Sequence, residues 1–170
     1  TKDEFDILVP VSDDLPALQT LLENIIRTTS GAYRILIAID ADRQPAVAHY
    51  QAGFKSAHPE LEITPINIPQ KYSLLRTINR LASFTRNHFV ILDVHCELPP
   101  NWLERLMHPI LVDDSIASVT PFTNARTFCG FPDMLDANPL SADLSVADLD
   151  KYFRQVNSNS AQIEIPAALG

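Results

Sequence analysis

Short apolar runs alternate with longer amphipathic stretches along most of this chain, and that alternation constrains its fold more than any other sequence feature. The apolar runs have the length and composition of strands and occupy residues 5–11, 33–39, 61–66, 89–92 and 116–121. Between them, apolar residues at helical spacing predict helices over residues 15–26, 45–57, 73–84 and 101–111. Strands that alternate with helices of this length indicate an α/β fold, in which a mostly parallel central sheet is flanked by helices.

The later part of the chain has a different composition. Residues 122–160 are rich in Pro, Asn, Asp and Thr, which predicts a long irregular excursion. Within it, Ser145 followed by Asp148 has the pattern of a helix start, and we expect that helix to continue to about residue 156. Residues 162–165 are predicted to form a last strand.

The composition is that of an ordinary globular domain. With 170 residues, 46% of them hydrophobic and 20% charged, the chain can bury one core of its own. We therefore expect a single domain over residues 1–170. Because the chain opens on Thr1 and its last residues carry no closing signal, we expect it to be a piece of a longer protein.

Charge and cysteine content exclude some classes of partner and site. The formal net charge of −8 argues against a nucleic-acid partner, since such a partner requires a basic surface. Two cysteines, Cys96 and Cys129, do not make a disulfide framework, which favours a reducing, cytoplasmic setting. The sequence contains no stretch with the length of a membrane span and no signal peptide.

One stretch concentrates the reactive side chains. The apolar run 89–92 is typical of a central strand buried on both faces, and Asp93, His95 and Glu97 follow it at alternate positions before a Pro-Pro pair. If the backbone stays extended, Asp93 and His95 point the same way and could hold one ion together. The carboxyl ends of such strands are where open α/β sheets bind ligands. The alternative is a loop in which His95 only bonds a neighbouring carbonyl group.

The same stretch resembles a known family. It is similar to the corresponding stretch of the nucleotide-sugar glycosyltransferases of the GT-A fold, particularly the inverting family 2 class. That stretch contains an apolar strand, Asp-x-Asp or a close variant, an acidic residue, Pro-Pro or Pro-Gly, and Trp-Leu. Here the triplet is Asp93-Val94-His95, with histidine in place of the last acid. The resemblance implies a GT-A, Rossmann-like nucleotide-diphospho-sugar transferase fold, truncated to a single donor-binding domain.

The resemblance also implies a set of site residues. Those that would bind the nucleotide sugar are Pro10, Val11, Ser12, Asp40, Lys71, Arg76, Asn79, Asp93 and Val94. Asp93 and His95 would hold a divalent cation, Mn²⁺ or Mg²⁺, and the imidazole makes Mn²⁺ the better candidate because Mg²⁺ prefers oxygen ligands. Two protein ligands bind a metal weakly, so the diphosphate would have to complete the site.

Some of these positions have a chemical reason of their own. Asp40 matches the first acid of the family's Asp-Asp-Gly-Ser motif, and a carboxylate can accept the N3–H of uracil. Pro10 and Val11 would contribute main-chain contacts, while the cations of Lys71 and Arg76 suit a diphosphate or a base carbonyl. The alternatives are that Asp40 caps the following helix and that the two cations are solvated surface charges.

We therefore expect the donor part of a glycosyltransferase that moves a sugar, from UDP in the first instance, to the hydroxyl group of a glycan or other acceptor. In the family the general base lies beyond the last matched residue, so we predict no catalytic residue in this chain. A second hypothesis is a degenerate, inactive domain that serves as a structural or interaction module. A third, a nucleotidyltransferase, would require a glycine-rich loop where residues 12–15 contain none.

Overall fold

A computed structural model of the chain describes residues 4–10, 14–40, 44–68, 73–124, 126–139, 141 and 143–157. The chain divides into two compact units. The first unit contains Thr1–Arg27 and Gly31–Glu97, and the second contains Thr28–Ser30 and Leu98–Gly170. The single donor-binding domain over residues 1–170 remains a prediction.

The first unit is built on a four-stranded parallel sheet. Its strands are β1 (Glu4–Pro10), β2 (Ala32–Ile39), β3 (Glu62–Asn67) and β4 (Phe89–Ile91), in the order β3-β2-β1-β4. All three pairings are parallel. The connecting helices are α1 (Leu15–Thr28), α2 (Pro45–Ala57) and α3 (Leu74–Ala82). This arrangement confirms the predicted α/β class with a mostly parallel sheet.

Helix α1 shows how the sequence sets an element's limits. The Asp14 side chain accepts the backbone N–H of Ala17 at 3.0 Å, which satisfies one of the donors that a helix start leaves unpaired. Leu18, Leu21 and other apolar residues at helical spacing are fully buried. After the helix, Gly31 adopts a φ of 88°, a conformation that favours glycine, and β2 begins at the next residue.

The core lies on both faces of the sheet. On one face, Leu8 and Leu36 form a buried cluster with Leu81 of α3. Their neighbours along the strands, Ile7 and Ile35, point to the opposite face and are also fully buried. A sheet buried on both faces accounts for the almost continuous apolar runs of β1 and β2.

A buried ion pair interrupts this apolar core. Asp6 of β1 and Arg34 of β2 are paired in the strand register and make two hydrogen bonds of 2.8 Å each, with side chains 1% and 6% exposed. Arg34 also donates to the Phe84 carbonyl at 3.0 Å, and the Arg86 backbone N–H donates to Asp6 at 2.9 Å. The pair therefore ties the segment between α3 and β4 to the middle of the sheet.

Strand β4 differs from the sequence prediction. It lies at an edge of the sheet and pairs with β1 alone among the described strands, and Phe89 and Ile91 are 42% and 44% exposed. The prediction of a central strand buried on both faces was therefore wrong for this part of the chain. An apolar run of four residues predicts a strand, but it does not predict how many neighbouring strands pair with it.

The second unit contains two helices, α4 (Trp102–Val112) and α5 (Val146–Val156). The Trp102 indole N–H donates to the Thr29 hydroxyl at 2.9 Å, so this tryptophan anchors α4 as a structural residue. Helix α5 begins with a capping box, in which the Ser145 hydroxyl accepts the Asp148 N–H and the Asp148 side chain accepts the Ser145 N–H. This confirms the predicted helix start.

The long segment between α4 and α5 is irregular where it is described. Thr123 and Gly130 form an isolated bridge, and the rings of Phe122, Phe131 and Phe153 pack together with centroid separations of 5.0–5.8 Å. The predicted strand over residues 116–121 is not a strand, because a strand requires a partner ladder and apolar alternation alone does not supply one. The predicted last strand, residues 162–165, lies outside the described residues.

No helix in the described ranges combines the length and the apolar character that crossing a bilayer requires.

Candidate functional site

Three adjacent strands have their carboxyl ends at the same end of the sheet, which is called its carboxyl edge below. β1 ends at Pro10, and its two neighbours β2 and β4 end at Ile39 and Ile91. Asp40 follows β2 directly, and Asp93 follows β4 by one intervening residue. Because the strands are parallel, the topology brings Pro10, Asp40 and Asp93 to the same edge, which is where open α/β sheets bind ligands.

The segment after β4 folds into a tight turn. The Asp93 carboxylate accepts the backbone N–H of His95 at 2.9 Å, and the Asp93 carbonyl accepts the N–H of Cys96 at 3.1 Å. The backbone is therefore not extended here, because an Asp side chain competes for the backbone N–H two residues ahead and closes a turn. The condition under which Asp93 and His95 would point the same way is not met. Between the two exposed residues, Val94 is buried and anchors the turn to the unit.

His95 faces a carboxylate on another element. Its side chain is 65% exposed, and its Nε2 lies 3.9 Å from Oδ2 of Asp14, the residue that caps α1. The sequence identified Asp14 only as part of a helix start. Its proximity to His95 follows from the adjacency of β1 and β4, which hydrophobic patterning does not reveal.

Asp40 is bonded through its main chain to Gln44, the residue that precedes α2. Its N–H donates to Oε1 of Gln44 at 3.3 Å, and its carbonyl accepts the N–H of Gln44 at 2.7 Å. The residue is half-buried at the sheet edge. Its assignment as the residue that contacts the base stays a prediction.

The remaining predicted residues are distributed between α3 and segments outside the description. Arg76 and Asn79 are exposed and three residues apart on α3, which places them on one face of that helix. Since α3 follows β3, its first turn, with Arg76, begins near the carboxyl edge of the sheet. Val11, Ser12 and Lys71 lie outside the described residues.

A family model described as glycosyl transferase family 2 matches residues 6–134, which is more than half of the chain. The chain belongs to glycosyl transferase family 2. Among solved structures, it is similar to the mannosyltransferase PcManGT from Pyrobaculum calidifontis, solved in complex with GDP-Man and Mn²⁺. The TM-score is 0.57 at 17% identity, over 68% of this chain and 34% of the mannosyltransferase, and this supports the GT-A-like fold. A comparison with curated proteins gave no match.

The family 2 domain places its exposed cysteine, Cys96, in the turn that follows Asp93. Partial desolvation, and to a smaller extent the charge of Asp93, raises the pKa of Cys96 above its ordinary value. A raised pKa leaves the sulfur as a neutral thiol at neutral pH, whereas the reactive form is the thiolate. A raised pKa therefore disfavours Cys96 as a nucleophile.

The end of β4 fits one kind of metal site. Asp93 and His95 are exposed, and a carboxylate with an imidazole is a donor set that suits Mn²⁺. Within the described ranges, no three His, Cys, Asp or Glu side chains are grouped so that they could enclose a metal ion. The arrangement does not fit a cation held by protein ligands alone. A cation bound at this turn would need further ligands, such as the oxygen atoms of a bound diphosphate.

A separate groove of about 610 Å³ lies along the outside of the family 2 domain. It is formed by α1 and α2 and lined by Glu23, Tyr50, Gly53 and Phe54 among others. None of the predicted nucleotide-sugar or metal residues contributes to it, so the groove does not belong to the site at the sheet edge.

Proposed function

We propose that this family 2 domain binds a nucleoside diphosphate sugar together with a divalent cation at the carboxyl edge of its sheet. The proposed nucleotide is UDP. The full reaction is transfer of the sugar from the nucleoside diphosphate to a hydroxyl group of a glycan or another acceptor. The observation that supports this most strongly is the gathering of Asp40, Asp93 and His95 at the ends of β2 and β4, on either side of β1.

The spacing of the two strand ends suits an extended nucleotide. β2 and β4 are separated by β1, so their ends lie roughly 10 Å apart, twice the spacing of about 4.8 Å between neighbouring strands. The base would lie near Asp40, with the ribose and the diphosphate toward Asp93. Arg76, in the first turn of α3, supplies a positive charge for the diphosphate, and Asn79 an amide for a polar contact.

The cation would be held by Asp93 and His95 with diphosphate oxygens as its other ligands. When bound, it neutralises the charge that develops on the departing nucleoside diphosphate. Mn²⁺ is the proposed ion, because an imidazole ligand is a poor match for Mg²⁺. The Mn²⁺ in the similar mannosyltransferase supports this choice, although its GDP-Man shows that the base must be tested separately.

Asp40 gives the test of base identity. A carboxylate can only accept hydrogen bonds, so it suits the N3–H of uracil or the N1–H of guanine and disfavours cytosine and adenine, whose ring nitrogens there are acceptors. We expect UDP to bind more tightly than CDP or ADP by calorimetry. Asp40→Asn should reduce that preference about tenfold, the equivalent of about 1.4 kcal/mol. Glu23→Gln, the same chemical change on α1, is the control and should leave the preference unchanged. Equal binding of UDP, CDP and ADP by the unmodified chain would contradict the role of Asp40.

We assign no general base to the described residues of this chain, so the proposal separates donor binding from transfer. Acceptor activation in this reaction requires a base within hydrogen-bonding reach of the attacking hydroxyl. We expect this chain alone to bind UDP-sugar with Mn²⁺ and to release little UDP when an acceptor is added. A rapid turnover by this chain would show that a base is present within it.

A degenerate, catalytically inactive domain that serves as a structural or interaction module is the second candidate, and one observation favours it. Among the described residues no group of three metal-ligating side chains is assembled, which would be the outcome if the site had lost its function. Such a scaffold would bind neither UDP nor GDP with or without Mn²⁺, and His95→Ala would change nothing. A binding domain loses its metal-dependent affinity in the same variant.

A further inference from the structure

Asp14 makes two different contacts with its two carboxylate oxygens. Oδ1 accepts the N–H of Ala17 at 3.0 Å and caps α1. Oδ2 faces Nε2 of His95 at 3.9 Å, within ion-pair range and longer than a hydrogen bond. One oxygen would satisfy the helix start, so the second contact is not required by capping.

We propose that Asp14 is a positioning residue that holds the imidazole of His95 through Nε2 and leaves Nδ1 as the nitrogen that faces the cation. This inference rests on the proposed function, because it specifies how His95 contributes to the cation site. It also adds to that site a residue that the sequence identified only as a helix cap.

The direction of the contact follows from the chemistry of the two groups. A carboxylate only accepts hydrogen bonds, so an imidazole nitrogen that comes within hydrogen-bonding distance of it would donate its N–H. In neutral histidine the other nitrogen then has the lone pair, and only a lone pair can coordinate a metal. Metal-binding histidines commonly donate their second N–H to a carboxylate in this way, which fixes the tautomer and the ring orientation.

The surroundings of the pair make the arrangement specific. The backbone N–H of His95 is fixed by Asp93, and the carboxylate of Asp14 is fixed by its bond to the start of α1. The side chains themselves are 65% and 43% exposed, so a small rotation of the imidazole can shorten the contact to a hydrogen bond. The main chain of His95 is thus fixed by the turn after β4, and its Nε2 faces a carboxylate at the start of α1.

Asp14→Asn separates positioning from capping. Asn is as good an N-cap as Asp, so its Oδ1 can still accept the N–H of Ala17 and the thermal midpoint should not change. The charge and the second acceptor are lost, and the amide N–H₂ would favour the tautomer in which Nε2 has the lone pair. Asp148→Asn, in the capping box of α5, is the matched control for removing a capping carboxylate.

The test combines two measurements. The Mn²⁺ affinity in the presence of UDP, followed by the electron paramagnetic resonance of free Mn²⁺, should fall about 10–100-fold in Asp14→Asn and stay unchanged in Asp148→Asn. In metal-free protein, ¹⁵N NMR should show His95 protonated at Nε2, with loss of that preference in Asp14→Asn. The His95 signal is identified by its absence in His95→Ala.

Each outcome decides a different claim. If the unmodified chain does not bind Mn²⁺ with UDP, the proposed function fails, while the NMR measurement still reports on the pair. If it binds and Asp14→Asn binds equally well, the positioning role is overturned and the proposed function stands. A lower affinity with no change of tautomer would also overturn it, because Asp14 would then act on the cation directly.

Discussion

The Asp6–Arg34 pair determines what a single residue can do to this fold. Both side chains are buried, and their hydrogen bonds join them to each other and to the segment between α3 and β4. Removing one partner leaves an uncompensated charge in the core, whereas removing both leaves none. The contribution of the pair to stability is therefore measured by comparing the loss of unfolding free energy in a single variant with the loss in the double variant.

Asp6→Asn should destabilise the chain by about 3–5 kcal/mol, since Arg34 would lose its buried counter-charge and keep only the longer contact with the half-exposed Glu62 at 3.9 Å. The free energy of unfolding in urea measures this. The double variant Asp6→Leu/Arg34→Met, which removes both charges, should cost less than the single one. A loss below about 1 kcal/mol for Asp6→Asn would show that the pair is solvated and that its burial is not important.

The same pair predicts a dependence of stability on pH. Burial pushes the pKa of Asp6 upward, but hydrogen bonds from Arg34 and the Arg86 N–H, with the charge of Arg34, outweigh it and hold the pKa below its ordinary value of 3.8. A carboxyl whose pKa is lower in the folded state stabilises that state above the unfolded pKa, and the contribution is lost as pH falls through the folded pKa.

The urea midpoint should therefore fall between about pH 4 and about pH 2 by more in the unmodified chain than in Asp6→Asn, which has no carboxyl to protonate. Parallel curves for the two proteins would mean that Asp6 does not carry the acid sensitivity.

At the scale of elements, α2 is the helix whose limits the sequence predicted to the residue, Pro45–Ala57. Proline at its first position suits a helix start, because that position needs no N–H donor. Gly53 lies in its interior and lines the groove between α1 and α2. A Cβ added to Gly53 would meet none of the described atoms within 4 Å, so packing does not require a glycine there.

Gly53→Ala should raise the free energy of unfolding by about 0.5–1 kcal/mol, because alanine loses less backbone entropy than glycine in a helix. Ala52→Gly, the reverse change at the exposed neighbouring position, should lower it by a similar amount. Thermal unfolding of both variants measures the effect. A destabilised Gly53→Ala would mean that the groove closes over this position in solution.

Elements that depend on local patterning could be predicted from the sequence, and those that depend on distant partners could not. The helices and the first three strands follow from apolar spacing and from signals such as Asp14 and Ser145. The exposure of Phe89 depends on whether a neighbouring strand covers β4, and the turn at Asp93 on one side-chain hydrogen bond. The contact between Asp14 and His95 requires the strand order, which periodicity does not contain.

At the scale of the whole molecule, the chain is a family 2 domain that spans about a third of the mannosyltransferase it resembles, 34% of that chain. The sheet places Pro10, Asp40 and Asp93 of the predicted donor-binding residues at the carboxyl ends of its strands, and the separate groove between α1 and α2 uses none of them. Donor binding by this chain can thus be tested independently of acceptor chemistry.

The central claim, a cation shared between His95 and a bound diphosphate, is tested most directly by calorimetric titration of the chain with UDP in the presence and absence of Mn²⁺. We predict binding that strengthens at least about tenfold with Mn²⁺, equivalent to about 1.4 kcal/mol, and loses this dependence in His95→Ala but not in the exposed control His49→Ala. Folded protein that gives no heat with UDP in either condition, or a His95→Ala variant that keeps the full Mn²⁺ dependence, would contradict the account.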